Sequence, residues 1–142
     1  MNLISSQRLK DPIKMRLFKS RLGTLRLFAG NIYQTFKYSG VEDTENFSPI
    51  KNAYQFKQDT QAFIDEITKN PATIDENREK FLDLIDGRNK SYSFLIRNIA
   101  GAETNKEVEN HIGVTNCKKL ATLQFYAQEV GQLILDSFIR NA

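Results

Sequence analysis

Cys117 and His111 are the two residues whose types could form a nucleophile and its base. A thiol in the first turn of a helix, with an imidazole nearby, can be activated as a thiolate. The chain has one residue of each type. Cys117 lies close to an apolar stripe, as a small buried hydrophobe would, and His111 falls at the end of a short helix, where a cation suits the helix dipole. We therefore interpret both as structural residues.

Other catalytic and metal sites have little support. Asp83 and Asp86 lie three residues apart, a spacing typical of solvated charge on a helix face. The glycines are scattered, and no phosphate-binding G-K-S/T sequence occurs. A zinc or di-iron site needs several His, Cys or inward-facing carboxylate ligands. We expect a protein that is not an enzyme and that has neither metal nor cofactor.

The strongest chemical signal is positive charge near the N-terminus. The segment 16–28, RLFKSRLGTLRLF, contains four cations and six large apolar side chains. Residues 1–40 contain eight cations and one anion, a net charge of +7, whereas the rest of the chain sums to −4. An acidic protein surface or nucleic acid would complement this charge. The alternative is that acidic helices of the same fold neutralise it.

A helical wheel separates these cations from the core. Phe18, Leu22 and Leu25 share the inner side of the helix, and we predict that the cations on another side bind the partner: Arg16, Lys19, Arg26 and Lys37. A solvated helix face usually mixes both signs, so that charges pair at i and i+4, but this face lacks acids. An external acidic partner is therefore favoured. A membrane surface fits less well, because the core needs the apolar stripe.

Helix start and stop signals divide the chain. Pro12 and Pro49 each follow a capping residue, a pairing typical of the first turn of a helix. Capping boxes occur at 73–76 and 104–107, and Thr115 can cap a last helix. Three glycines are expected to end helices in the left-handed conformation: Gly40, Gly101 and Gly113.

Apolar spacings of three and four residues predict helices over 12–38, 49–69, 74–99 and 116–140, with a short helix over 105–112. The first stripe consists of Met15, Phe18, Leu22, Leu25, Ala29, Ile32 and Phe36. Gly87 leaves open whether the third long helix is broken. We predict an all-α, single-domain, up-and-down four-helix bundle over residues 1–142, with one short extra helix.

Two features of these helices are unusual. Arg78 and Arg88 fall near the centre of the third apolar stripe, where each needs a carboxylate partner, a path to solvent for its charged head, or a bound anion. If a small anion binds inside the bundle, we expect it at Arg88 with Tyr92 beside it. The last helix is apolar nearly all round, so we expect its outer side to be buried either by the protein's own fold or by a second chain or partner. We predict that these residues mediate self-association, giving a homodimer: Ala121, Phe125, Gln132 and Ile139.

Two short segments resemble known motifs. VENHIGVTN, residues 108–116, resembles a helix-turn-helix, but Glu109 and Lys119 stand where that motif needs a small and a core-facing residue. NLISSQRL, residues 2–9, resembles the start of the four-helix sensor domains of nitrate-sensing and pilus chemoreceptors. The second half of that signature is missing and Pro12 interrupts its first helix, so no site residues are transferred.

The sequence lacks a signal-like N-terminus and an apolar run of membrane-spanning length, which favours a cytoplasmic protein. We expect a non-catalytic binding or adaptor protein that docks on an acidic partner through its basic N-terminal helix. Two alternatives stay open: a ligand-sensing bundle that binds a small anion, and a sequence-nonspecific nucleic-acid-binding protein.

Overall fold

The computed structural model describes residues 12–69, 97 and 99–139. These residues form an all-α bundle of four helices: α1 (Pro12–Lys37), α2 (Pro49–Lys69), α3 (Asn105–Ile112) and α4 (Val114–Ile139). No strand occurs among them. Of the predicted helix 74–99, only residues 97 and 99 are described, both helical, so Gly87 lies outside the described residues. The all-α prediction is confirmed, and the up-and-down order stays a prediction.

Helix α1 is the centre of the described part, because it packs against both α2 and α4, while α3 packs against α4. The predicted stripe of α1 is buried from Phe18 to Phe36. Its first half packs with side chains of α2 and α4: Phe63, Ile64, Ile67, Ala127 and Ile134. Its second half packs with residues of every other described segment: Val41, Phe47, Ala53, Phe56, Ile99, Ala100, Val108, Ile112 and Leu120.

A polar level separates these two apolar clusters. On α2, Thr60 falls between Phe56 of the second cluster and Phe63 of the first, and on α4 Gln124 falls between Leu120 and Ala127 in the same way. Thr60 and Gln124 are both fully buried. Among the described residues, the Thr60 hydroxyl, the Gln124 amide nitrogen and the Gln124 amide oxygen have no hydrogen-bond partner. Such groups are rare in folded proteins, because burial removes their hydrogen bonds to water.

The side chain of Asp43 caps the N-terminus of helix α2, whereas the sequence predicts Ser48 as the capping residue. The two carboxylate oxygens of Asp43 accept hydrogen bonds from the amides of Ile50 and Lys51, each at 2.9 Å. The Ser48 hydroxyl instead donates to the carbonyl of Thr44 at 2.6 Å. The helix therefore begins where predicted, but its cap comes from the loop before it.

Gly113 joins α3 to α4. Its amide donates to the Glu109 carbonyl at 2.8 Å, and its own carbonyl accepts from Cys117 at 3.1 Å, so it ends one helix and begins the next. Thr115 therefore lies inside α4, and the prediction that it caps this helix is wrong.

At the other end of α3, Thr104 accepts from the Glu107 amide at 3.2 Å, as its capping box predicts. The positive φ angles expected at Gly40, Gly101 and Gly113 are confirmed.

None of the helices in the described ranges is long and apolar enough to cross a membrane.

Candidate functional site

Arg16 and Lys19 lie one turn apart near the start of α1, and both are exposed. Neither has an ion-pair partner among the residues that the structure describes. Helix geometry gives them neighbouring directions, since residues three apart lie on one side of a helix. Two adjacent cations in water form a surface that an anionic group can approach directly.

Two exposed apolar side chains lie within one turn of Arg16 along α1. Ile13 is 73% exposed and Leu17 is 49% exposed, and Leu27, further along α1, is 61% exposed. All three fall outside the apolar stripe that packs into the core, so a single stripe does not predict them as part of a site. The sequence did contain a signal for Leu17 and Leu27, since the segment 16–28 holds more large apolar residues than a single buried face can use. We call Ile13, Arg16, Leu17 and Lys19 the α1 docking surface.

Arg26 is in a different situation from Arg16 and Lys19. Its Nη2 atom lies 2.6 Å from Oδ1 of Asp65 on α2. The two side chains are 44% and 70% exposed, so the pair is solvated and contributes little to stability. At Arg26, the alternative that acidic helices neutralise the basic helix therefore holds. Arg21 points elsewhere, with Nη1 3.5 Å from the carbonyl oxygen of Leu133 on α4.

Lys37, at the end of α1, belongs to an aromatic cluster. Its Nζ atom lies 5.7 Å from the ring centroid of Tyr33 and 5.6 Å from that of Tyr38. From α2, Nζ of Lys57 lies 5.2 Å from the Tyr33 ring and 5.9 Å from the Tyr54 ring. The Tyr33 and Tyr54 rings meet edge to face at 5.3 Å. We call these five residues the tyrosine–lysine cluster, and sequence reasoning identified only Lys37 among them.

The residues predicted for self-association on α4 differ in their exposure. Phe125 is 45% exposed, and Gln132 is exposed as well. Ala121 is half-buried against the second apolar cluster, so it is less accessible than predicted. The side chain of Ile139 lies outside the described residues.

Two exposed residues that the sequence analysis missed extend this face: Tyr126 and Leu133. The Tyr126 ring meets Phe125 edge to face at 5.8 Å and stacks on Phe28 of α1 at 6.0 Å. The apolar face of α4 therefore reaches toward α1, which a wheel drawn for α4 alone could not indicate.

Phe125→Asp is expected to convert a homodimer into a monomer without unfolding the protein. The Phe125 ring is 45% exposed, and a carboxylate in its place would stay solvated in a monomer but would be desolvated in an apolar interface. Sedimentation equilibrium at high protein concentration, with circular dichroism to verify folding, measures this effect. Glu129→Gln, an exposed change on the same helix, serves as the control. A wild type that sediments as a monomer throughout would contradict the prediction.

His111 and Cys117 have separate structural environments. Nδ1 of His111 lies 2.8 Å from the Glu107 carbonyl oxygen, to which it donates, and the ring stacks on Phe47 at 4.1 Å. Burial raises the pKa of the Cys117 thiol, and the negative charge of Glu109 raises it further. A raised pKa keeps the thiol protonated at neutral pH, the opposite of an activated nucleophile. No group of three metal-ligating side chains occurs within the ranges described.

The predicted anion site at Arg88 and Tyr92, like Arg78, lies outside the described residues. Comparison with known protein families, with curated proteins and with solved structures gave no match.

Proposed function

We propose that this protein is a non-catalytic binding protein, an adaptor, that docks on an acidic protein through the α1 docking surface. The observation that supports this proposal most strongly is the combination of exposed Arg16 and Lys19, which have no ion pair within the described ranges, with exposed Ile13 and Leu17. The fitting partner is an amphipathic element with carboxylates beside apolar side chains. We propose a cytoplasmic setting for this contact.

The apolar residues favour a protein over nucleic acid. Fully burying a side chain such as leucine or isoleucine contributes about 1.5–3 kcal/mol, and a phosphate backbone offers no surface that could bury it. The cations have a different role: complementary charge mainly accelerates the encounter and excludes partners of the wrong sign. Charge would therefore set the rate of association, and the apolar contacts would set the rate of dissociation.

The other two predicted partner-binding residues contribute differently. Arg26 could bind the partner only in competition with Asp65, so its contribution is smaller than those of Arg16 and Lys19. Lys37 lies 18 residues beyond Lys19, which corresponds to about 27 Å along a helix. We therefore do not include Lys37 in the docking surface.

The test separates charge from apolar contact. The partner is captured on the wild-type protein and identified, and its association and dissociation rates are then measured over a range of salt concentrations. We expect Arg16→Glu and Lys19→Glu to slow association severalfold at low salt and less at high salt. Leu17→Ala, which removes apolar surface without changing the charge, should mainly accelerate dissociation. Lys118→Glu on α4 is the matched control, because it makes the same charge change at another exposed position.

Two outcomes would contradict the proposal. Unchanged binding in all three α1 variants would mean that the cations only balance the acidic part of the chain. Tight binding to duplex DNA, with a log–log salt slope of about −0.9 per phosphate neutralised that becomes shallower in each charge variant, would favour a nucleic-acid-binding function instead.

A further inference from the structure

The tyrosine–lysine cluster lies at the opposite end of α1 from the docking surface and has no role in the function proposed above. Tyr38 is 77% exposed and Tyr54 is 44% exposed, so much of their ring area faces water. Tyr33 and Lys57 are half-buried between them, and Lys37 is exposed. The cluster therefore combines accessible aromatic faces with two ammonium groups that come from different helices.

Ion pairs within the described part of the chain do not neutralise the two lysines of the cluster. Neither Lys37 nor Lys57 has an ion-pair partner among the described residues, although acids are close in sequence. Asp43 is engaged by the amides at the start of α2, and Asp59 accepts a hydrogen bond from Gln55 at 2.8 Å. Glu42 and Glu45 lie on the loop after α1 and are exposed.

Packing also fails to explain the cluster fully. A solvent-exposed cation–π contact contributes only about 0.5–1 kcal/mol. Tyr38 adds little to the core, because most of its surface is in water. Apart from the contact with Lys37, its phenol ring remains available to a ligand with a flat, apolar face.

We propose that the tyrosine–lysine cluster binds single-stranded nucleic acid. A base would stack on Tyr38 or Tyr54, and the adjoining phosphates would contact Lys37 and Lys57. Base stacking on an aromatic side chain is largely independent of sequence, because every base has a π face. A duplex keeps its bases stacked inside, so it could use the lysines but not the rings. The strand would run along α1, away from Glu42 and Glu45 on the loop after it.

Fluorescence anisotropy with a labelled single strand of about 12 nucleotides tests this proposal. We expect Tyr38→Ala to weaken binding about tenfold, since stacking contributes about 1–3 kcal/mol per base. Tyr38→Phe should bind like the wild type, because the ring face is retained. Lys37→Gln and Lys57→Gln should each reduce the magnitude of the log–log salt slope by about 0.7. A duplex of the same sequence should bind at least tenfold more weakly.

The controls distinguish this surface from the docking surface. Lys118→Gln should leave the affinity for the single strand unchanged, and so should Leu17→Ala, which changes no charge and removes only apolar surface of the α1 docking surface. Tyr38 and Lys37 are exposed, so circular dichroism should show an intact fold in their variants. Three results would overturn the proposal: equal affinity for single strand and duplex, unchanged binding in Tyr38→Ala, or no saturable binding by the wild type.

Discussion

Gly113→Ala is expected to lower the free energy of unfolding by about 1–3 kcal/mol. Gly113 has φ 88° and ψ 162°, a region of backbone conformation that is almost restricted to glycine. No heavy atom of the described residues lies within 4 Å of the position that a Cβ would take, so the destabilisation would come from backbone strain and not from a clash. The strain would act where α3 and α4 join, directly after the buried residue Ile112.

Gly23→Ala is the matched control for this measurement. Gly23 lies inside α1, and a Cβ there would also have no heavy atom of the described part within 4 Å. An alanine inside a helix is more favourable than glycine by about 0.5–1 kcal/mol, so this variant should be more stable than the wild type. Urea unfolding curves of both variants measure the free energy of unfolding, which should decrease in Gly113→Ala and increase in Gly23→Ala. A Gly113→Ala protein as stable as the wild type would mean that the joint relaxes to another conformation.

Gln124→Met is expected to raise the free energy of unfolding by about 1–3 kcal/mol. Gln124 is fully buried, and both polar atoms of its amide lack a hydrogen-bond partner among the residues described. Methionine has a similar length and helix propensity, so the change removes the desolvated amide without leaving a large void. Thermal and urea unfolding would measure the gain.

Gln34→Met on the exposed side of α1 is the control for this variant and should change stability by less than about 0.5 kcal/mol. Thr60→Val tests the same polar level from α2. It removes the Thr60 hydroxyl, which has no hydrogen-bond partner among the described residues, with little change of shape. A decrease of stability in Gln124→Met would show that the amide has a partner in solution, such as a buried water.

Local sequence signals predicted the helices well, because their causes are local. Pro12 and Pro49 begin α1 and α2 as expected, and the spacing of Phe18 to Phe36 identified the buried side of α1. The cap of α2 was missed because Asp43 acts over seven residues through a folded loop. No residue pattern within α2 itself could indicate that contact.

The candidate sites depend on contacts between helices, which limits what the sequence predicts. A wheel for α1 correctly gave exposed positions for Arg16 and Lys19. It could not show that Arg26 meets Asp65, because that pair spans 39 residues and depends on how α1 and α2 align. The tyrosine–lysine cluster depends on the same alignment, since Tyr54 and Lys57 come from α2.

The loop between α1 and α2 bears on how this protein can be engineered. Besides the Asp43 cap, the Thr44 amide donates a hydrogen bond to the Phe47 carbonyl at 2.8 Å. Val41 and Phe47 are buried in the core. Most surface loops accept inserted residues, because the entropy of loop closure grows slowly with length. An insertion between Asp43 and Phe47 would instead break the hydrogen bonds from the start of α2 to the Asp43 carboxylate and displace the buried Phe47 side chain from the core. This connection is therefore a poor position for tags, fused domains or new chain termini.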